Sequence, residues 1–310
     1  MLSRRQLRIK VLQALYAFFQ GEKNDLAVAE RELFRSIEKV NELYLYLLLF
    51  LSELAYADKT DASDLLQKFI PDQAELKAIK RLYELKFIDA LESSKEFKSQ
   101  VDRLRLSWQN NGDLVKKIFL EVRKSELYRT FFKDNEADEK TFLLEMIKNF
   151  IEVSEAFQHH IDDESIFWSD DFTFAMHLVG RTIRTFYEKG SFELIPLYKD
   201  ESDDKDFARK LFSQTILNNE EFEKAISERT KNWDVERIAL MDILILKMAL
   251  AELITFPNIP VKVSINEFID ISKDFSTPKS KQFVNGIIDR LAIDYAKEGR
   301  IVKVGRGLIN

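Results

Sequence analysis

Four basic side chains open the chain. Arg4, Arg5, Arg8 and Lys10 fall within the first twenty residues, a stretch without a single Asp or Glu. On a helix the step of four puts Arg4 and Arg8 on one face, with Arg5 one residue round. Cations in a first turn oppose the helix dipole, which favours acids there, so the cluster calls for an external anion. The plainer alternative is a solvated polar face. A second group, His159 and His160 beside Asp162, Asp163 and Glu164, has metal-ligand side chains but not the spacing. Adjacent histidines point about 100° apart on a helix, and no His-x-x-x-His or third ligand accompanies them. Neither a phosphate-cradling glycine loop nor a nucleophile elbow is present, and Gly305-Arg306-Gly307 lacks a third glycine and a following helix. No catalytic constellation emerges. The expectation is a binding protein, not an enzyme, with no cofactor and no metal.

Composition decides which elements position these groups. Gly and Pro number 8 and 5 in 310 residues, about 4% where ordinary usage is roughly 12%. Sheets and their turns need more, so the fold class is all-α. The absence of cysteine excludes disulfides and thiolate chemistry and fits a reducing cytoplasm. MLSRRQLRIK runs its charges into an amphipathic pattern without the apolar segment of a secretory signal. A cytoplasmic protein is expected. The longest apolar run, residues 43–51, is half a membrane span and reads as a buried core helix. Net charge is −6, polarised along the chain: residues 131–171 hold twelve acids against three lysines. Only a local gathering of cations, as at the N-terminus, suits nucleic acid on such a background.

The first helix, about residues 3–19, places Leu7, Val11, Ala14, Leu15 and Phe18 on one side. After Gly21 a helix runs from 24 to 56, capped by Asn24 or Asp25. Pro71 opens another to about Gln109, and further stretches cover 113–133, 138–160 and 164–189. The charge-dense join at 191–206 is the best boundary, followed by helices near 204–218 and 220–231. From Trp233 to Phe256 the pattern is apolar on nearly every side, which marks a central helix. Pro257 and Pro260 close it. A short extended VKV follows, and Ser264 with Glu267 reads as the capping box of the next helix. Pro278 is placed to start the last one, whose stripe runs from Phe283 to Tyr295. Gly286 interrupts that stripe and implies a close neighbour, since a mid-helix glycine costs roughly 1 kcal/mol against alanine.

Taken together, RRQLRIKVLQALYAF at one end and VERIALMDILILKMALAEL, NIPVKVSINEFIDISKDF and SKQFVNGIIDRL at the other resemble the NusB family of bacterial transcription antitermination factors. That family is all-helical and RNA-binding. The likeness implies a NusB-like bundle carrying an additional inserted helical subdomain. The division is then 1–22 for the N-terminal basic helix, 23–199 for the insertion, 200–297 for the C-terminal core and 298–310 for a flexible basic tail. Lys247 stands where the family commonly carries arginine in the core helix, and Gln282 where a basic residue often precedes the Phe-Val-Asn-Gly run.

What the resemblance implies for function is specific. Arg4, Arg5, Arg8 and Lys10 correspond to the RNA-binding arginine-rich motif. Tyr16, Glu252 and Asp289 fall where the family meets the ribosomal protein NusE, although Tyr16 could be core and Glu252 could pair with Lys247 or a tail lysine. Expected partners are single-stranded boxA-type nascent RNA, NusE and, indirectly, the RNA polymerase elongation complex, with no membrane. The outcome would be antitermination on ribosomal RNA operons. A helical adaptor without RNA binding is the alternative.

Overall fold

The computed structural model describes residues 1–21, 25–67, 81–133, 137–230, 239–277 and 280–308, and every regular element among them is helical. In chain order these are α1 (Arg4–Gln20), α2 (Leu26–Gln67), α3 (Lys86–Ser93), α4 (Lys95–Leu104), α5 (Gly112–Lys124), α6 (Glu126–Phe131), α7 (Glu139–Met146), α8 (Glu155–Glu164), α9 (Phe172–Lys189), α10 (Glu201–Leu217), α11 (Asn219–Arg229), α12 (Leu240–Thr255), α13 (Val261–Phe275) and α14 (Ser280–Lys297). Short side chains set many of the starts. The hydroxyls of Ser3, Ser94, Ser125 and Ser154 and the carboxylates of Asp138 and Asp200 each accept the backbone N–H three residues on, satisfying a donor that no helical carbonyl can reach. Asp25 does the same for Val28 and so caps α2.

Two compact units result, one of residues Leu2–Ile37 and Tyr198–Asn310, the other of Glu38–Leu197 with Met1. In the first, α12 is the hub: α1, α10, α11, α13 and α14 all pack on it. Its residues from Leu244 to Leu253 are buried without interruption, as the all-round apolar pattern requires. The stripe of α1 meets it through buried Leu7, Val11 and Leu15, joined by Leu12. Residues 231–238, where Trp233 was expected to begin this helix, lie outside the described residues. The unit takes in more chain than residues 1–22, because the first turns of α2 belong to it. Glu30 pairs with Arg209 at 2.6 Å and Phe34 lies under the same guanidinium at 5.1 Å.

The second unit has a core of its own, from Leu43 on α2 through Trp108, Phe119, Phe142 and Phe157 to Ile183 on α9. By length and composition α2 holds a stretch, Leu26–Asp61, apolar enough to cross a membrane, yet 61% of its best window is buried inside the protein. The 43–51 run is part of that core. Described residues 81–109 form short helices, not one long one: Leu85 and Ser94 are extended, and Arg105 turns left-handed at φ 56°. Pro71 lies outside the described residues. His160 lies in an aromatic nest, with its Nε2 2.8 Å from the Tyr46 hydroxyl and its ring 4.8 Å from that of Trp108.

Three local expectations change. Helix α13 starts at Val261 after Pro260, so VKV is its first turn and not an extended link. Ser264 is therefore inside the helix, buried, with its hydroxyl turned to Glu252 instead of a backbone amide. A proline at the cap position fixes the backbone for helix entry one turn before the hydroxyl could act. Gly286 is exposed within α14, and a Cβ there would meet nothing within 4 Å. Among the described residues its inferred close neighbour is absent. Pro278 lies outside the described residues, although Ser276 and Thr277 do flank the start of α14 and bond the Ser280 hydroxyl.

Candidate nucleic-acid interface

Ser3 and Gln6 form a capping box that fixes the first turn of α1, and with it the directions of the three arginines. Each meets acid from a distant part of the chain. Arg8 Nε and Nη2 donate to the two Glu252 oxygens at 2.7 Å each, and the Ser264 hydroxyl adds a third donor to Glu252 at 2.7 Å. Both side chains of that pair are closed to solvent, at 3% and 0% exposure. Arg5 reaches across α13, donating to Glu267 at 3.0 and 3.1 Å and to Asp270 at 2.9 Å. Arg4 pairs with Asp203, stands 3.6 Å from Asp204, and lies 4.2 Å over the Phe207 ring.

The cluster is thus not uncompensated, as the N-terminal stretch alone implied. Its counter-charges come from α10, α12 and α13. The hydrogen bonds that Arg5 donates to Glu267 and Asp270 raise its pKa above the usual value. The Asp270 carboxyl is held below its ordinary range, first by Lys273 and then by Arg5.

The arginines nevertheless differ in reach. Arg4 and Arg5 are partly exposed, while Arg8 is sealed. Lys10 is buried too, so it does not share an exposed face with them. Around Arg4 and Arg5 opens a cleft of about 1040 Å³, walled on the other side by Phe256, Pro257 and Ile259 after α12 and by Lys210 of α10. Lys210 is paired with Asp206 at 2.8 Å.

The segment after α14 completes the cleft, contrary to the expectation of a free tail. Val304 N–H donates to the Pro257 carbonyl at 3.0 Å, and Lys303 Nζ donates to the Phe256 carbonyl at 3.0 Å. Burial holds the Lys303 pKa below the usual lysine range. Gly307 sits so close to Pro257 that a Cβ would fall 1.9 Å from its carbonyl oxygen. Only glycine fits. Arg306 beside it lines the cleft and is exposed.

Of the residues expected to meet a protein partner, Tyr16 is 42% exposed on α1 and Asp289 is exposed on α14. Glu252 presents no surface at all, since Arg8 and Ser264 occupy both its oxygens. Its hydrogen-bond partner is not Lys247, whose Nζ bonds Asn219 at 2.7 Å and Glu223 at 2.8 Å; of the tail lysines, Lys303 feels the Glu252 charge, which opposes part of the effect of burial on its ammonium. Of the acids that face the arginines, Asp203 and Asp270 carry no motif of their own, and Glu267 reads in the sequence as a capping-box residue, not as an arginine partner. Only the four- and three-residue phasing of Glu267 and Asp270 with Val263 on α13 hinted that they share a face.

The central helix, the Ile-Pro turn and the helix carrying Phe283 to Tyr295 are all in place around the arginine-headed α1. A sequence model of the NusB family matches residues 174–292. The transcription antitermination protein NusB of Salinibacter ruber is 45% identical over 115 residues, 37% of this chain and 71% of that protein. The chain belongs to the NusB family. Proteins of the same name from Chloroherpeton thalassium and Geotalea daltonii are 39% identical over 106 residues and 41% identical over 86, covering 50% and 59% of their lengths. No solved structure matches the chain. The NusB match ends in α14 and begins within α9, before the unit boundary at Tyr198. Most of the second unit falls outside it.

Proposed function

We propose that this protein is an RNA-binding transcription antitermination factor that takes boxA-type single-stranded RNA in the Arg4–Arg5 cleft and pairs with ribosomal protein NusE, prolonging ribosomal RNA transcription. Support comes first from the cleft. Two partly exposed guanidinium groups stand at its mouth, held by carboxylates of which Asp203 is 71% exposed. Surface ion pairs contribute only about 0–1 kcal/mol each, so exchanging such a carboxylate for a phosphate is cheap. Phosphate offers the same two-pronged acceptor that guanidinium recognises.

Arg8 has another role in this reading. Its buried pair with Glu252 clamps α1 to α12 and α13 and so sets where Arg4 and Arg5 stand. NusE then docks away from Glu252, through Tyr16 on α1 and Asp289 on α14. A helical adaptor without RNA binding is favoured by one observation, that carboxylates already occupy all three arginines. An RNA titration decides between them. Binding of labelled single-stranded RNA that strengthens when purified NusE is added is expected, and no binding in either condition would leave the adaptor reading standing.

A further inference from the structure

The described cations around the cleft are unequal. Arg4, Arg5, Arg8 and Lys210 each hold a carboxylate. Arg306, on the same cleft, has no ion pair or hydrogen bond among the described residues. It is also exposed, so no desolvation penalty opposes its contact with an anion.

Its position is built, not incidental. The chain leaves α14 through Arg300, whose guanidinium pairs with Glu221 and lies 4.3 Å over the Tyr295 ring. It is then tied to the turn after α12 by the Val304 amide and the Lys303 ammonium. Gly305 adopts φ +54°, a left-handed backbone that favours glycine. Gly307 packs on the Pro257 carbonyl where any Cβ would collide. Two glycines with separate steric demands flank the cleft-lining arginine that holds no carboxylate among the described residues. A disordered tail would need neither.

We infer that the segment from Arg300 to Leu308 is the lip of the RNA cleft and that Arg306 is a phosphate-contacting residue, the cation that backbone phosphate meets without first displacing a carboxylate. This rests on the RNA-binding reading of the cleft. It adds a binding residue from the far end of the chain, held in place by the turn after α12.

The test uses the full chain and a fluorescein-labelled single-stranded RNA of the boxA class, titrated at several salt concentrations. Each single-strand phosphate contact contributes roughly 0.7 to the log–log salt slope. Arg306→Ala should weaken binding about three- to tenfold at low salt and flatten the slope by about 0.7. Arg306→Lys should keep the slope. Gly307→Ala, which retains every charge but forces the segment off Pro257, should weaken binding as Arg306→Ala does while helicity is unchanged. Arg229→Ala, which removes a charge paired with Asp294 on a residue that does not line the cleft, should leave the slope alone. If an Arg4→Ala/Arg5→Ala variant loses RNA while Arg306→Ala binds as the parent does, the lip is refuted and the cleft stands. Equal losses in Arg306→Ala and Arg229→Ala would refute it as well, as a general charge effect. If none of these variants changes binding, the cleft reading falls and the lip with it.

Discussion

Arg8 and Glu252, 244 residues apart in the chain, meet in a two-pronged ion pair at 2.7 Å that solvent does not reach. An ion pair so placed is a weak source of net stability but costly to break from one side, because the survivor is a buried, uncompensated charge. Arg8→Ala or Glu252→Ala should each lower unfolding stability by about 3–5 kcal/mol, read by urea denaturation. Replacing both with Met and Leu should restore much of the loss. Ser264→Ala should cost about 1 kcal/mol, the ordinary worth of one hydrogen bond. Wild-type stability in Arg8→Ala would show that the clamp is not formed.

The same pair dictates how RNA binding is tested. A variant lacking Arg8 confounds affinity with folding, whereas Arg4→Ala/Arg5→Ala removes only partly exposed cations. That double variant should lose most RNA affinity and flatten the salt slope by about 1.4, two single-strand contacts' worth, at unchanged helicity by circular dichroism.

In the proposed reading, Asp203 and Asp270, which pair with Arg4 and Arg5, compete with RNA phosphates for those guanidinium groups. Asp203→Asn/Asp270→Asn should therefore bind RNA more tightly, by up to about fivefold for each pair removed if each is worth up to about 1 kcal/mol. Fluorescence anisotropy at fixed salt measures it, and unchanged or weaker binding would mean that the carboxylates only position the arginines.

For the ribosomal partner, the exposed groups are the ones to change. Asp289→Lys should slow NusE association most at low salt, since exposed charges act through steering that ionic strength screens. Tyr16→Ala should speed dissociation instead. Stopped-flow mixing separates the two effects, and identical kinetics in both variants would remove this surface from consideration.

The inserted unit should show its own pH response. Burial holds the His160 imidazole below its ordinary pKa, outweighing the opposing pull of Glu164 and Asp163. The unfolded chain then takes up the proton first, so stability is full above the unfolded value of about 6.5 and is lost as pH falls through it toward the folded one. Melting temperature should drop more steeply between about pH 7.5 and 5.5 in the parent than in His160→Asn. A chain of residues 38–197 should also melt cooperatively by itself, given its separate core.

Much of this molecule was legible in residue order because its signals are local. Leu7, Val11 and Leu15 share a face by periodicity, and the unbroken apolar run of α12 leaves it nowhere to lie but the centre. The NusB motifs follow from those same short stretches. What residue order could not settle were the partners of charges. Arg8, Arg4 and Arg5 look alike in the first turn, and only packing against α10, α12 and α13 seals one with Glu252 and leaves two at a cleft. The bond from Ser264 to Glu252, the docking of Gly307 on Pro257 and the extension of the core unit to Ile37 are likewise contacts between distant segments. Helical propensity and capping act over three or four residues, whereas the protonated and ionised groups of a fold find one another only once the helices that carry them have packed.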